Sequence, residues 1–349
     1  MFAIHKKMSL DFCEIMAFRS PKVEKVSILM YVGVQGIGTS RHELEFLLRH
    51  GVTHMDTMIN PQDLDTIKVQ REAASAMGVE LEMLHIPMPE SVTHGLNPQR
   101  DRDLDDICSW IEHAGRAGIR GLNYNFSVVG YQRTEDRFGR GGSIYSSFEI
   151  GKYDNDELHP VGHVDLDEIF ARILYFLERV IPVAEEYKVQ MASHLPDPPF
   201  PEMRGEARWN YPVFEGLKRF SELIDSPYHG FNFCCGVASE GLDDPGKELP
   251  PIVEYFSERK KIFNVHFRNI RGGLGDFVEV WPDEGDVDMH ELAQIFFKTG
   301  YPYMLMPDHS PGHPDDPPHP DGSGRVRQGW AFQFGYIKAL IQAVAKELG

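Results

Sequence analysis

The chain has 349 residues, 42% hydrophobic and 25% charged, a composition suited to a large packed core and not to a disordered segment. Its formal charge of −18 speaks against nucleic acid as a partner, because phosphate binding needs a basic surface. No stretch of 18 uninterrupted apolar residues occurs, so no membrane-spanning helix is expected.

Residues 1–25 interrupt their apolar positions with Lys6, Lys7, Asp11 and Glu14 and lack the continuous apolar core of a secretory signal. They are read as an extension ahead of a single domain over residues 26–349. The cysteines, Cys13, Cys108, Cys234 and Cys235, are too few for a disulfide framework in so long a chain, and point to a reducing, cytoplasmic setting.

From Val26 onward, apolar runs of strand length alternate with stretches of helical period. The first half predicts strands over Val26–Val34, Val52–Met58, Leu81–Pro87 and Gly121–Phe126. Their helices are predicted over Arg41–His50, Gln62–Met77, Leu104–Ala117 and Asp167–Lys188. The second half predicts strands over Val189–Leu195, His229–Cys235, Ile262–Asn269 and Tyr303–His309. Helices follow over Val213–Leu223, Leu249–Lys261, Met289–Thr299 and Gln328–Leu348.

This alternation predicts an α/β fold, a closed (β/α)8 TIM barrel, with an open doubly wound sheet as the alternative. Two connections, after strands 4 and 8, are long. Ser127–Leu166 carries Arg133, Arg137, Arg140 and the Gly139–Gly142 turn; His309–Arg327 is rich in proline, glycine and histidine. Both would leave from the C-terminal face, where long loops serve as lids or substrate clamps.

Strand C-termini of such a barrel share one mouth. His194, Cys234, His266 and Asp308 fall at the ends of four successive predicted strands, so residues remote in sequence would converge. Two imidazoles, a thiolate and a carboxylate there read as a divalent metal site. Strand period places Asn232 and Cys234 on one face and Cys235 on the other, and aligns Asn264, His266 and Arg268. The bare set suits Zn²⁺; with added substrate oxygens it suits Mn²⁺ or Fe²⁺.

Other polar residues at the mouth carry two readings each. His309 is a general acid or base, or a solvated loop histidine. Arg268 clamps a carboxylate or pairs with a neighbouring acid. Asn123 and Asn125 hold sugar hydroxyls or satisfy backbone groups, and His85 donates to a ligand or packs in the core. No G-x-G-x-x-G follows the first strand, which leaves a dinucleotide cofactor unsupported.

These residues stand in segments that resemble the mannonate dehydratase family. The segments are L-N-Y-N-F at Leu122–Phe126, S-H-L-P-D-P-P at Ser193–Pro199 and F-C-C-G at Phe233–Gly236. Further on come V-H-F-R-N from Val265, G-D-V-D-M from Gly285 and P-D-H from Pro307. The resemblance implies a xylose-isomerase-like barrel that dehydrates D-mannonate to 2-keto-3-deoxy-D-gluconate in hexuronate catabolism. It implies Mn²⁺, with Fe²⁺ or Zn²⁺ as alternatives, held by His194, Cys234, His266 and Asp308, and His309 beside them as the acid–base group. Arg268 is assigned to catalysis, and Asn123, Asn125, His85 and Arg140 to a small sugar-acid substrate. Barrels of this kind commonly associate, so a homo-oligomer is expected, with no nucleic-acid or membrane partner.

The chain also departs from the family. Where the family carries H-P-D-D-P-P, this chain reads His194-Leu195-Pro196-Asp197-Pro198-Pro199. The family's P-G-Y segment before the last helix holds a functional tyrosine, and Pro320–Arg325 has none. Tyr131, or else Tyr145, on the strand-4 connection is the candidate substitute. The rival functions are a metal-dependent sugar isomerase or epimerase on the same scaffold, and a non-catalytic sugar-acid binder.

Overall fold

A computed structural model describes residues 30–58, 60–316 and 327–349. The predicted extension 1–25, the start of the first predicted strand and the Pro320–Arg325 segment lie outside the described residues. Eight parallel strands close into a barrel, with helices outside it. They are β1 Tyr31–Gln35, β2 His54–Thr57, β3 Glu80–His85, β4 Gly121–Asn125, β5 Gln190–His194, β6 His229–Cys234, β7 Ile262–His266 and β8 Met304–Met306. The order around the ring is β1-β8-β7-β6-β5-β4-β3-β2.

Strand β6 shows why the chain folds this way. Phe231 and Phe233 point out against Phe256 of the Pro245–Glu258 helix, with ring centroids 5.3 and 6.5 Å away. Asn232 between them is fully buried and bonds to residues of β7, inside the ring. The lower interior is filled by Met83, Ala192, Phe263, Met304 and Met306. Glycines face the bulkier of these: a Cβ on Gly33 would fall 2.5 Å from Met304 Sδ, and one on Gly230 2.7 Å from the Phe263 ring.

Phe263 reaches that cluster through a bulge. The β6–β7 pairing shifts so that Phe231 faces Ile262 but Asn232 faces Asn264. A polar plug closes the N-terminal end, where Glu82 accepts from Tyr31 Oη at 2.8 Å and from Arg120. Arg120 stacks over the Tyr303 ring at 3.8 Å. The barrel interior is thus open toward its C-terminal mouth.

Several predicted boundaries move. β8 ends at Met306 because Pro307 has no N–H to continue the ladder, so Asp308 and His309 sit on the loop just beyond it. β7 ends at His266, which puts Arg268 past the strand. The helix predicted from Leu104 starts at Gln99, and that predicted over Leu249–Lys261 spans Pro245–Glu258. Two short helices, Glu90–His94 and Cys235–Glu240, were not anticipated.

The strand-4 connection is a built structure. Its Ser147–Glu149 segment pairs antiparallel with Asp276–Glu279, which pairs in turn with Ile270–Gly273 after β7. Phe148, Met203, Ile270 and Phe277 form an apolar core beneath this three-stranded sheet. The tight turn of the β7 hairpin rests on Gly275 at φ +80°, a conformation that favours glycine. Among the described residues, no helix is long and apolar enough to cross a membrane.

Candidate active site

A cleft of about 540 Å³ opens at the C-terminal mouth. Its floor is set by the register of the last four strands: Asn232 pairs with His194, Cys234 with His266, and His266 with Met306. One ligand atom from each of His194, Cys234, His266 and Asp308 lies within 4.8 Å of the other three. The four predicted ligands therefore meet at one point.

Each of the four is prepared for a cation. Burial lowers the His194 pKa, so this imidazole is neutral at neutral pH, the form that binds metal. Burial works against ionised Asp308, but the neighbouring His309 and His266 outweigh it and hold the carboxyl well below its usual range. Gln35 Nε2 donates to Asp308 Oδ1 at 2.5 Å. Cys234 caps the Cys235–Glu240 helix, with Val237 N–H 3.3 Å and Arg268 Nη2 3.5 Å from its Sγ. Two donors are aimed at the sulfur. Cys235 takes no part in the cluster, and burial pushes its thiol pKa well up.

His266 supplies the test of fit. Its Nε2 lies 3.0 Å from the Asn232 amide, and Asn232 meets Asn264 at 3.2 Å. Nδ1 is buried without a well-formed hydrogen bond, 3.3 Å from Asp308 Oδ1. The two ends of an asparagine amide are nearly isosteric. With both asparagine amides turned over, the Asn232 oxygen faces His266 and its NH2 meets Asn264 Oδ1, which otherwise lacks a partner. Nε2 then carries the proton and Nδ1 keeps the lone pair that a cation requires. The donor set fits a divalent ion. Asn232→Leu is accordingly expected to weaken metal binding by about 10–100-fold while the barrel stays folded. Titration against a chelating indicator checks this, and wild-type affinity would show that the amide does not orient His266.

A second group of carboxylates, Asp197, Glu240 and Glu279, also lies within ligand reach of one another. Guanidinium groups fill the space between them. Arg133 bonds Asp197 Oδ2 at 2.8 Å, Glu240 Oε1 at 3.2 Å and Glu279. Arg268 Nη1 bonds Glu240 Oε1 at 2.9 Å and lies 3.3 Å from Glu279 Oε1. Burial pushes the Glu240 pKa well above the carboxylate range, so it takes a proton. Arg133, Arg268 and charged His309 then balance Asp197, Glu279 and Asp308. This cluster is an ion-pair network, buried beside the ligands.

His309 is the network's link to the cleft. Its Nδ1 lies 2.6 Å from Glu279 Oε2 and its Nε2 3.0 Å from Asp308 Oδ2. Burial would lower its pKa, but Asp308 and Glu279 dominate and raise it to about 10. Tyr131 stands edge-on to His309 with ring centroids 6.2 Å apart, its hydroxyl 3.1 Å from Ser146 Oγ and 3.4 Å from Glu279 Oε1. Burial first, then Glu279, raises the Tyr131 hydroxyl above its ordinary value, so it keeps its proton.

His85, Asn123, Asn125 and Tyr131 all line the cleft with His194 and His309. Asn123 is oriented by donating to Asp56 Oδ2 at 3.2 Å. Arg268 is 3% exposed and lies below the cleft floor with its donors on Glu240 and Cys234. Arg140 is not brought to the cleft: it pairs with Asp283 at 2.6 Å on a separate recess beside Trp281 and Phe332. Tyr145 is also elsewhere, bonded to Glu284.

Residues that the sequence did not single out complete the wall. Buried Glu206 accepts from Val128 N at 2.9 Å and Val129 N at 2.8 Å, and Arg208 Nη1 donates to Val129 O at 2.5 Å. This pair pins Ser127–Gly130, the segment that delivers Tyr131. Gln35 and Glu279 were likewise missed, since each lies in a segment with no motif of its own.

With this geometry in hand, the likenesses to known proteins are informative. The family model for D-mannonate dehydratase (UxuA) matches residues 146–348, more than half of the chain. The mannonate dehydratase of Enterococcus faecalis is 28% identical over 312 residues, 79% of this chain and 83% of that protein. That of Thermotoga petrophila is 26% identical over 287 residues, 70% of this chain and 77% of that protein. The crystal structure of mannonate dehydratase from Streptococcus suis serotype 2 superposes with a TM-score of 0.82 at 25% identity, covering 92% of this chain and 96% of that one. A D-tagatose 3-epimerase-like protein, at 15% identity and TM-score 0.59, shares the barrel fold. On the family match the chain belongs to the D-mannonate dehydratase (UxuA) family, hydro-lyases built on a (β/α)8 barrel.

Proposed function

We propose that this protein is a divalent-metal-dependent sugar-acid dehydratase that converts D-mannonate to 2-keto-3-deoxy-D-gluconate and water. The observation that carries the reading is the convergence of His194, Cys234, His266 and Asp308 beneath a cleft that His309 and Tyr131 also line. The metal is Mn²⁺ in this reading, with Fe²⁺ or Zn²⁺ able to occupy the same donors. When bound, the cation polarises the substrate carboxylate, engages Asp308 and neutralises the charge that builds as the C2 proton leaves.

The remaining chemistry falls to the protein's own groups. His309 keeps its Nδ1–H on Glu279 and, once its Nε2 proton has passed to solvent, presents Nε2 to the cleft as the base for the C2 proton. Tyr131, which holds its proton, donates it to the departing C3 hydroxyl, and water leaves. Ketonisation restores both groups: His309 returns its proton to C3, and the enol oxygen at C2 returns one to Tyr131. Asn123, Asn125 and His85 line the wall opposite and offer amide and imidazole partners for the remaining hydroxyls. Arg268 enters as support for the Cys234 thiolate and the ion-pair network, not as a substrate clamp. The free cysteines Cys108, Cys234 and Cys235 support a cytoplasmic role in hexuronate breakdown.

The test is turnover of Mn²⁺-loaded protein against a panel of hexonates and pentonates, read as 2-keto-3-deoxy product. Product from D-mannonate is expected. Product from a different acid would keep the reaction and replace the substrate. An epimer formed without loss of water would move the protein to the epimerases, and metal-loaded protein inert on every acid would remove the dehydratase reading.

A further inference from the structure

The charged groups beside the ligands form one network, yet only one of its carboxylates touches a group that faces the cleft without itself being a candidate ligand. That carboxylate is Glu279. It is 4% exposed, and its two oxygens are divided between different tasks. Oε2 lies 2.6 Å from His309 Nδ1. Oε1 accepts from Arg133 Nε at 2.9 Å and lies 3.3 Å from Arg268 Nη1 and 3.4 Å from the Tyr131 hydroxyl. Its backbone is fixed as firmly: Glu279 pairs with Ile270 in the hairpin after β7, and its N–H donates to Ser146 O at 2.9 Å.

We infer that Glu279 is a positioning residue: by accepting from His309 Nδ1 it sets the ring so that Nε2 is the nitrogen offered to the cleft. The inference rests on the proposed role of His309. Imidazole has two chemically distinct nitrogens, and the partner of one decides what the other can do. Asp308 cannot do this, because a cation would claim its oxygens. Glu279 lies outside the ligand set and has two guanidinium groups to hold its charge. Arg268, Arg133 and His309 keep it ionised against burial, so the acceptor is permanent at neutral pH. The same sheet joins the segment that follows Tyr131's partner Ser146 to the hairpin, so one element aligns both proton-handling groups.

Glu279→Gln keeps the size and removes the charge. It is expected to lower kcat by about 10–100-fold, with KM and metal content close to wild type. Glu279→Asp, which keeps the carboxylate, should recover part of that loss and serves if the glutamine variant folds poorly. In a His309→Asn background, Glu279→Gln should cost almost nothing further, because the two act as a unit. Full additivity, or unchanged kcat in Glu279→Gln, would overturn the inference. An independent readout needs no turnover: in the Zn²⁺-loaded protein the His309 Nδ1–H should give a far-downfield proton resonance. It should vanish in both His309→Asn and Glu279→Gln. If the signal behaves so while no sugar acid is dehydrated, the positioning stands and the dehydratase reading falls; if the signal survives Glu279→Gln, the positioning falls.

Discussion

His266→Ala is expected to lose bound metal and, with it, turnover by at least about 10³-fold, the equivalent of several kcal/mol of Lewis-acid stabilisation. The residue sits at the centre of the site, with its Nε2 on Asn232 and its Nδ1 toward Asp308. Alanine removes one of four donors and takes one polar partner each from the Asn232 amide and the Asp308 carboxylate, which keep Asn264 and Gln35. Even a buried group left wholly unsatisfied costs about 1–3 kcal/mol, against a typical fold stability of about 5–15 kcal/mol. Because the ligands come from four different strand ends while the barrel is held by the helix-facing core, the variant should stay folded. Elemental analysis and a thermal melt on the same sample separate the two effects. Chelation of the wild-type protein should reproduce the loss, and added Mn²⁺ should reverse it. Metal content equal to wild type in His266→Ala would remove His266 from the ligands, and full turnover by metal-free protein would remove the metal from the reaction.

How much of this was legible in the sequence depended on distance along the chain. The eight strands were readable because each is a local apolar run, and the four converging side chains His194, Cys234, His266 and Asp308 were readable because each falls at or just beyond the end of such a run. Cys234 over Cys235 followed from strand period, since Asn232 lies on the same face. Local pattern fails where tertiary contacts decide. The bulge at Phe263 has no signature in I-F-N-V-H, yet it is what turns both Phe263 and Asn264 inward. The hairpin over Ile270–Glu279 has strands too short, and too rich in glycine, to show a period. It therefore hid Glu279 and the sheet that ties it to the strand-4 connection.

Charge pairing was the least accessible of all. Arg133, Asp197, Glu240, Arg268 and Glu279 come from four different connections, and nothing in their local sequence announces a shared site. For the same reason Arg268, on the ligand face of its strand, reads as a substrate clamp until its partners are seen. Arg140 reads as one because it lies on a long mouth-side loop, although Asp283 holds it away from the cleft.

His309→Asn separates binding the metal from using it. Asparagine can still occupy the space and accept or donate a hydrogen bond, but it cannot exchange a proton near neutral pH. Loss of a positioned acid–base group costs about 10²–10⁴-fold in rate, and kcat is expected to fall within that range. Metal content should persist, since His309 contributes no atom to the four-donor cluster. The substrate KM should change little, because the ring is partly exposed at the wall while the donors for the carboxylate lie beneath it. Asp308 does lose a partner at 3.0 Å, so a small change in metal affinity is anticipated. Such a change would be met by raising the metal concentration, and the kcat defect would not. A kcat defect that disappears with excess Mn²⁺ would make His309 a support for the ligand Asp308. Wild-type kcat in the variant would take it out of proton transfer and leave Tyr131 as the group to test at this wall.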